Sequence, residues 1–213
     1  PFWLNGMSAP GVEPGLCAVE LAAARSPFLV SLLAHGLLRP LGHPGHNALP
    51  KRTREQLQSS PGPSAAWRLE VATPITLPKD GDEAWSLAYH GNCTGLDVAE
   101  ILRQGLRPGP KPGAYGKGIY LTPSFRYCAL YYGFAEELPD GATFVHVLEV
   151  RCQRQCEHPV FPPSWRPEVD AAVERSRMEW VVATAGDVLV TAVVTKELQG
   201  RTRDEWLAAE VVW

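Results

Sequence analysis

The sequence predicts an α+β domain of ordinary globular composition. Short strands dominate the larger part of the chain, and helices occur among them without the regular alternation of a parallel sheet. The chain has 213 residues, of which 45% are hydrophobic and 20% are charged. A chain of this size and balance can bury a core without disulfides or metals. The predicted strands are residues 85–90, 118–122, 143–152, 179–183 and 188–195.

The first of these strands alternates large apolar residues with small ones, which is the two-residue period of a half-buried strand. Trp85 and Tyr89 therefore lie on one face. His90 lies on the opposite face with Ser86 and Ala88. We expect His90 to end the strand on a face that its small neighbours keep open.

Two helices follow from periodicity and from end signals. The first covers residues 95–104, turns Leu96, Ile101 and Leu102 inward, and stops at Gly105. The second begins at Thr122 as N-cap, with Pro123 in its first turn, and ends at Gly133.

The end of the chain carries two further local signals. Residues 179–183 and 188–195 read as a hairpin that turns at 185–187, where Gly186 lies. Residues 202–205 have the spacing of a capping box, which predicts a last short helix.

The composition of the sequence changes near Trp67, and this change predicts two regions. Residues 1–66 form a partly helical N-terminal extension with Pro/Gly-rich loops, and residues 67–213 form the main domain. We expect a monomer or a part of a larger chain, the latter because the sequence begins with Pro1 and not with Met. The apolar stretch 16–38 is interrupted by charges and a proline, so we expect no membrane contact.

Charge and cysteines limit the partners and the compartment. The net charge is −3, which disfavours tight nucleic-acid binding, and a protein partner is expected instead. Five cysteines without a signal-peptide pattern indicate free thiols and an intracellular protein, cytoplasmic or nuclear. Cys152, Cys156 and His158 lie close in sequence, but their spacing is not that of a zinc site, and we expect no metal.

The sequence lacks the motifs of Rossmann, P-loop, zincin and α/β-hydrolase proteins. Three other segments indicate a function. In order they are YHGN with ILRQGLR, then YGKGIY running into SFRYCALY, and MEWVV. Over residues 85–195 this order resembles ADP-ribosyltransferases of the poly(ADP-ribose) polymerase type, with their His-Tyr-Glu triad. Compact domains of that type also occur at the ends of Neuralized-like proteins.

The resemblance implies a fold, a substrate and a triad. The fold would be two packed, small, mainly antiparallel sheets with flanking helices and an NAD cleft between them. NAD would be the substrate, with no metal. His90 would bind the adenosine-side ribose, Tyr120 would stack on nicotinamide, and Glu179 would bind the nicotinamide ribose.

Further binding residues come from the same resemblance. The backbone of Gly91 would hold the nicotinamide carboxamide, Tyr131 would form the second aromatic wall, and Arg107 would lie near the adenosine end. Two positions depart from the family pattern: Asn92 replaces a usual Ser or Thr, and Cys128 replaces a serine that donates to the carboxamide.

The implied activity is NAD-dependent ADP-ribosyl transfer to a macromolecular acceptor. The short span between Arg107 and Tyr115, and the lack of a helical regulatory domain, favour mono-ADP-ribosylation. A catalytically inactive transferase-fold module for protein or ligand binding is the alternative. An RNA 2′-phosphotransferase, which shares the fold, fits less well because the chain is acidic.

Overall fold

The structure is a computed structural model that has, among the residues that it describes, two antiparallel sheets and several short helices. These residues are 23–38, 66–72, 84–92, 97–156, 159–160 and 173–198. The helices are α1 Pro27–Ala34, α2 Val98–Gln104 and α3 Phe125–Tyr131. The strands are β1 Ala66–Glu70, β2 Trp85–His90, β3 Ile119–Leu121, β4 Phe134–Glu137, β5 Thr143–Gln153, β6 Pro159–Val160, β7 Glu179–Val182 and β8 Val188–Glu197. The α+β class is confirmed.

The larger sheet has five strands, with β1, β8, β5 and β2 side by side in that order. Strands β5 and β8 form its centre, and their long β-branched, apolar runs suit strands that are covered on both faces. Strand β2 pairs with residues 148–153 of β5, whereas β4 pairs with residues 143–146. The end of β2 and the start of β4 therefore meet beside Val147.

The smaller sheet has the order β3, β7, β6, and all four residues of β7 are buried. The predicted hairpin is wrong, because β7 pairs in this sheet and β8 pairs in the larger one. The segment between them, Ala185–Asp187, is a single turn of 3₁₀ helix that carries the chain from one sheet to the other.

One backbone bridge joins the two sheets at the end of β2. Tyr89 N–H donates to the Thr122 carbonyl at 2.8 Å, and Thr122 N–H donates to the Tyr89 carbonyl at 3.0 Å. Thr122 directly follows β3, so this bridge fixes the last residues of β2 against the last residues of β3.

Two core clusters lie on opposite faces of the larger sheet, because neighbouring residues of a strand point to opposite sides. The cluster that contains Leu148 includes side chains from α1, α2 and the smaller sheet. The cluster that contains Val147 includes Tyr89 and the buried face of α3. Ala88 is fully buried in the first cluster, so the face is packed at this residue, whereas Ser86 and His90 on the same face are half-buried.

Helix α3 begins later than predicted. Ser124, not Thr122, is the N-cap, and its Oγ accepts the backbone N–H of Tyr127 at 3.0 Å. Thr122 is engaged in the bridge between the sheets, which leaves Pro123 before the helix. Gly105 ends α2 with a φ of +80°, as the sequence predicts. Leu96 and residues 202–205 lie outside the described residues.

Part of the predicted N-terminal extension packs onto the larger sheet. Ser26 caps α1 and donates to Glu136 Oε2 at 2.5 Å, and Glu136 Oε1 accepts the N–H of Phe28 at 2.8 Å. Leu29 and Leu32 of α1 are buried in the first core cluster. The division at residue 66 stays a prediction.

Within the described part of the chain, none of the helices has the length and apolar character needed to cross a membrane.

Candidate active site

A pocket lies where the two sheets are bridged. Five of the residues predicted from sequence line it, and they come from β2, β3, α3 and β7. The lining residues are Tyr89, His90, Gly91, Tyr120, Leu121, Thr122, Cys128, Tyr132 and Glu179.

The imidazole of His90 is fixed in one tautomer by a backbone carbonyl. Its Nδ1 lies 2.9 Å from the Tyr120 carbonyl oxygen, which can only accept, so Nδ1 carries the proton. Burial lowers the pKa of His90 and outweighs the opposing effect of this hydrogen bond. The ring is therefore neutral at pH 7, and Nε2 is a hydrogen-bond acceptor at the pocket.

Gly91 is required by a close approach of two backbone segments. A Cβ on Gly91 would lie 2.4 Å from the backbone carbonyl carbon and oxygen of Tyr132, and would also clash with the Tyr132 Cβ. Any side chain here would push β2 away from the end of α3. The tight contact keeps the polar backbone of Gly91 at the pocket wall.

Tyr120 is fixed through its hydroxyl by the loop that follows α2. The hydroxyl accepts the N–H of Tyr115 at 2.8 Å and donates to the Gly116 carbonyl at 2.8 Å. Gly113 passes so close that a Cβ there would lie 2.6 Å from the ring. The loop after α2 is thus hydrogen-bonded to and packed against the side chain of Tyr120, which lines the pocket.

Glu179 is a buried carboxylate, 3% exposed, at the first position of β7. Its Oε1 accepts two phenolic hydroxyls, from Tyr127 at 2.7 Å and from Tyr132 at 2.5 Å. A buried charge needs such donors to offset its lost hydration. The backbone pairing of β7 with β3 and β6 fixes where the carboxylate enters the pocket.

Cys128 is fully buried on the pocket side of α3. Burial raises the pKa of its thiol well above the ordinary value, so the group stays protonated. A neutral thiol is a weak hydrogen-bond donor. The site thus holds one negative group, Glu179, with neutral groups from the other lining side chains.

The second tyrosine at the pocket differs from the one singled out by the resemblance. Tyr132 lines the pocket, whereas Tyr131 is half-buried with its ring 4.9 Å from that of Tyr127 and does not line it. Helical spacing places Tyr131 on the face of Cys128. Tyr132, the C-cap of α3, is four residues after Cys128 and has helical spacing to it as well, so periodicity alone does not distinguish the two tyrosines.

Two other predicted residues lie away from the lining. Asn92 follows Gly91 and is half-buried, and Arg107 is exposed at the start of the loop after α2. Sequence reasoning also missed Tyr89, Leu121 and Thr122. These three reach the pocket because of the bridge between the sheets, and no sequence signal indicates that pairing.

Metal ligands do not cluster in the part of the chain that the structure describes: no group of three or more His, Cys, Asp or Glu side chains is placed to hold an ion. Cys152 is buried in the core and Cys156 is partly exposed, whereas His158 lies outside the described residues.

The arrangement can bind a small polar ring between aromatic walls and stabilise positive charge beside Glu179. Comparison of the sequence with protein-family models finds no match, and comparison with curated proteins finds no significant match.

Proposed function

We propose that the protein is an NAD-dependent ADP-ribosyltransferase with the fold of that family, and that it transfers single ADP-ribose units to a macromolecular acceptor. The observation that carries the proposal is the meeting of His90, Tyr120 and Glu179 in one pocket. The three residues come from β2, β3 and β7, and up to 89 positions separate them along the chain.

The neutral His90 suits a ribose hydroxyl of NAD. Its Nδ1–H is held by the Tyr120 carbonyl, so Nε2 accepts a hydrogen bond from the adenosine-side ribose. A charged imidazolium would lose this acceptor. The lowered pKa of His90 therefore keeps the binding form at neutral pH.

The nicotinamide ring suits the walls of the pocket. Tyr120 and Tyr132 provide aromatic surface, where the resemblance assigns the second wall to Tyr131. The carboxamide binds the backbone of Gly91, and the Cys128 thiol is a weak additional donor. The residues that line the pocket match the nicotinamide and its ribose, and the adenosine end of NAD would extend beyond them.

Glu179 stabilises the charge that develops when the bond to nicotinamide breaks. The C–N bond at ribose C1′ gives its electron pair to the ring, and nicotinamide leaves as a neutral molecule. Positive charge moves to the ribose, and the carboxylate stabilises it from the side of the 2′-hydroxyl. The acceptor's nucleophile then bonds to C1′, and its proton passes to solvent.

We place the enzyme inside the cell and expect a protein acceptor. The described cysteines, among them the buried Cys128 and Cys152, are free thiols, which suits a reducing compartment. The net charge of −3 disfavours tight binding to a nucleic acid, so a protein acceptor is favoured.

The alternative is an inactive module with the same fold, in which the pocket binds a ligand or a protein. It is favoured by the weak donor at Cys128 and by the internal partners of the Glu179 carboxylate. An assay for nicotinamide release distinguishes the two hypotheses, because an inactive module releases none from NAD.

The test is a time course with adenine-labelled NAD that follows nicotinamide release and label on macromolecules. Glu179→Ala should lower both by roughly 100- to 1000-fold, the loss expected when a group that stabilises transition-state charge is removed. Glu137→Ala, which removes an exposed carboxylate on β4, is the control. No release from folded wild-type protein, or an equal rate in Glu179→Ala, would overturn the proposal.

A further inference from the structure

We propose that Tyr127 and Tyr132 are positioning residues that hold the Glu179 carboxylate in its reactive orientation. The inference rests on the proposed function and deepens it, because the resemblance assigns neither tyrosine a role. Both hydroxyls donate to the same carboxylate oxygen, Oε1, at 2.7 and 2.5 Å.

Helix α3 delivers both hydroxyls to one point, Tyr127 from its first turn and Tyr132 from its C-cap. Tyr127 N–H donates to the capping Ser124 Oγ, which fixes the start of the helix. Tyr132 N–H donates to the Cys128 carbonyl at 2.9 Å, which fixes the C-cap. The two rings lie 6.0 Å apart at 63°, so their hydroxyls converge on Glu179 from two directions.

The two tyrosines differ in their access to substrate. Tyr127 is 1% exposed and lies behind the pocket wall, whereas Tyr132 is half-buried and lines the pocket. Tyr127 therefore acts on the reaction through the side chains that it contacts, directly through the Glu179 carboxylate and through the neighbouring ring of Tyr132. Tyr132 combines this role with contact to the bound ring.

Two donors on one oxygen restrict the rotation of the carboxylate as well as compensating its burial. A carboxylate held in place needs no reorganisation when charge develops on the ribose. Without the donors, the Glu179 side chain samples several orientations. The loss should appear in kcat and not in NAD binding.

The kinetic test is a double-mutant cycle. Tyr127→Phe should lower kcat about tenfold with KM for NAD unchanged, and should have no effect in the Glu179→Ala background. Tyr132→Phe should lower kcat similarly. Glu137→Ala, which removes an exposed carboxylate on β4, should match the wild type. An unchanged kcat in Tyr127→Phe, or the same fall in both backgrounds, would overturn the proposal.

A second cycle tests the contact without any activity. Urea unfolding is measured for the wild type, Tyr127→Phe, Glu179→Ala and the double variant. Tyr127→Phe should shift the unfolding equilibrium about tenfold in the wild-type background and less than about twofold in the Glu179→Ala background. Equal shifts in both backgrounds would contradict the positioning role. If the wild type releases no nicotinamide, the proposed function fails, while this cycle still decides whether the tyrosines hold Glu179.

Discussion

Cys128 shows how one atom changes what the pocket can offer a ligand. Its thiol is fully buried, protonated and located at the pocket, where a serine hydroxyl would be a stronger donor. The sequence resemblance places a serine at this position, and Cys128 departs from it. Its placement beside the other lining residues makes the departure testable.

Cys128→Ser should tighten the binding of nicotinamide about fivefold, because the hydroxyl gains a hydrogen bond to the carboxamide. Calorimetric titration with nicotinamide measures the change. Cys152→Ser is the matched control, since Cys152 is equally buried but lies in the core away from the pocket. Unchanged or weaker binding in Cys128→Ser would show that the residue does not face the carboxamide.

Individual site residues were predictable where a motif gave their order along the chain. His90, Gly91, Tyr120, Cys128 and Glu179 all line the pocket. Tyr132 was missed because two tyrosines stand side by side at a helix end. Which of them faces the pocket depends on the φ and ψ of the C-cap, and the residue types do not determine those angles.

The loop after α2 is an element whose position depends on one side chain. Tyr120→Phe keeps the ring but loses both hydrogen bonds to Tyr115 and Gly116. The loop should then detach from the pocket rim. We expect KM for NAD to rise about tenfold, since each neutral hydrogen bond contributes about 1 kcal/mol.

Limited trypsin digestion measures whether this loop detaches. Cleavage after Lys117 should become faster in Tyr120→Phe, because the residue lies in the same loop. Tyr115→Phe retains both bonds, one through its backbone, and should be cleaved at the wild-type rate. An equal cleavage rate and KM in Tyr120→Phe would show that the hydroxyl does not hold the loop.

Helix α1 is attached to the sheet by a buried polar cluster that is sensitive to acid. His146 is buried between Thr195 Oγ1 at 2.8 Å and Glu136 Oε2 at 3.0 Å, and Glu136 also accepts from Ser26. Burial lowers the pKa of His146, against the raising effect of Glu136. The pKa of Glu136 is also lowered: its hydrogen bonds to His146, Ser26 and Phe28 together outweigh the opposing effect of burial.

Stability should therefore fall as the pH falls below about 6.5, the ordinary pKa of histidine. The unfolded chain takes up a proton there that folded His146 does not, which costs at most about 1.4 kcal/mol per pH unit for each such group. His90 adds to the loss in the same direction, and Glu136 extends it below about pH 4.5. Urea unfolding at pH 7.5 and 5.5 should show a smaller difference in His146→Gln. An equal difference would contradict this role of His146.

Sequence periodicity located most elements but not all of their partners. Trp85–His90 and Thr143–Gln153 are strands close to where alternation and β-branched runs predict them. The predicted hairpin is wrong because the same short turn sequence can connect two paired strands or carry the chain from one sheet to another. Which sheet a strand joins depends on distant side chains, and a local pattern carries no such information.

At the scale of the whole molecule, the candidate site is a consequence of how two sheets meet. The Tyr89–Thr122 bridge brings β2 beside β3, and β7 brings Glu179 from near the other end of the described chain. The order of the motifs along the sequence predicts that their residues act together. These residues come together because of the Tyr89–Thr122 bridge and because β2 and β4 both pair with β5. No local sequence pattern predicts either pairing.

The most direct test of the account is a titration with NAD that follows the side-chain nitrogen resonances of His90. We predict a saturable shift of Nε2, because that atom accepts the ribose hydroxyl while Nδ1 stays bonded to the Tyr120 carbonyl. His35, which is exposed on the far end of α1, should not respond. A His90 spectrum that stays unchanged at millimolar NAD, from folded protein, would contradict the claim that this pocket binds NAD.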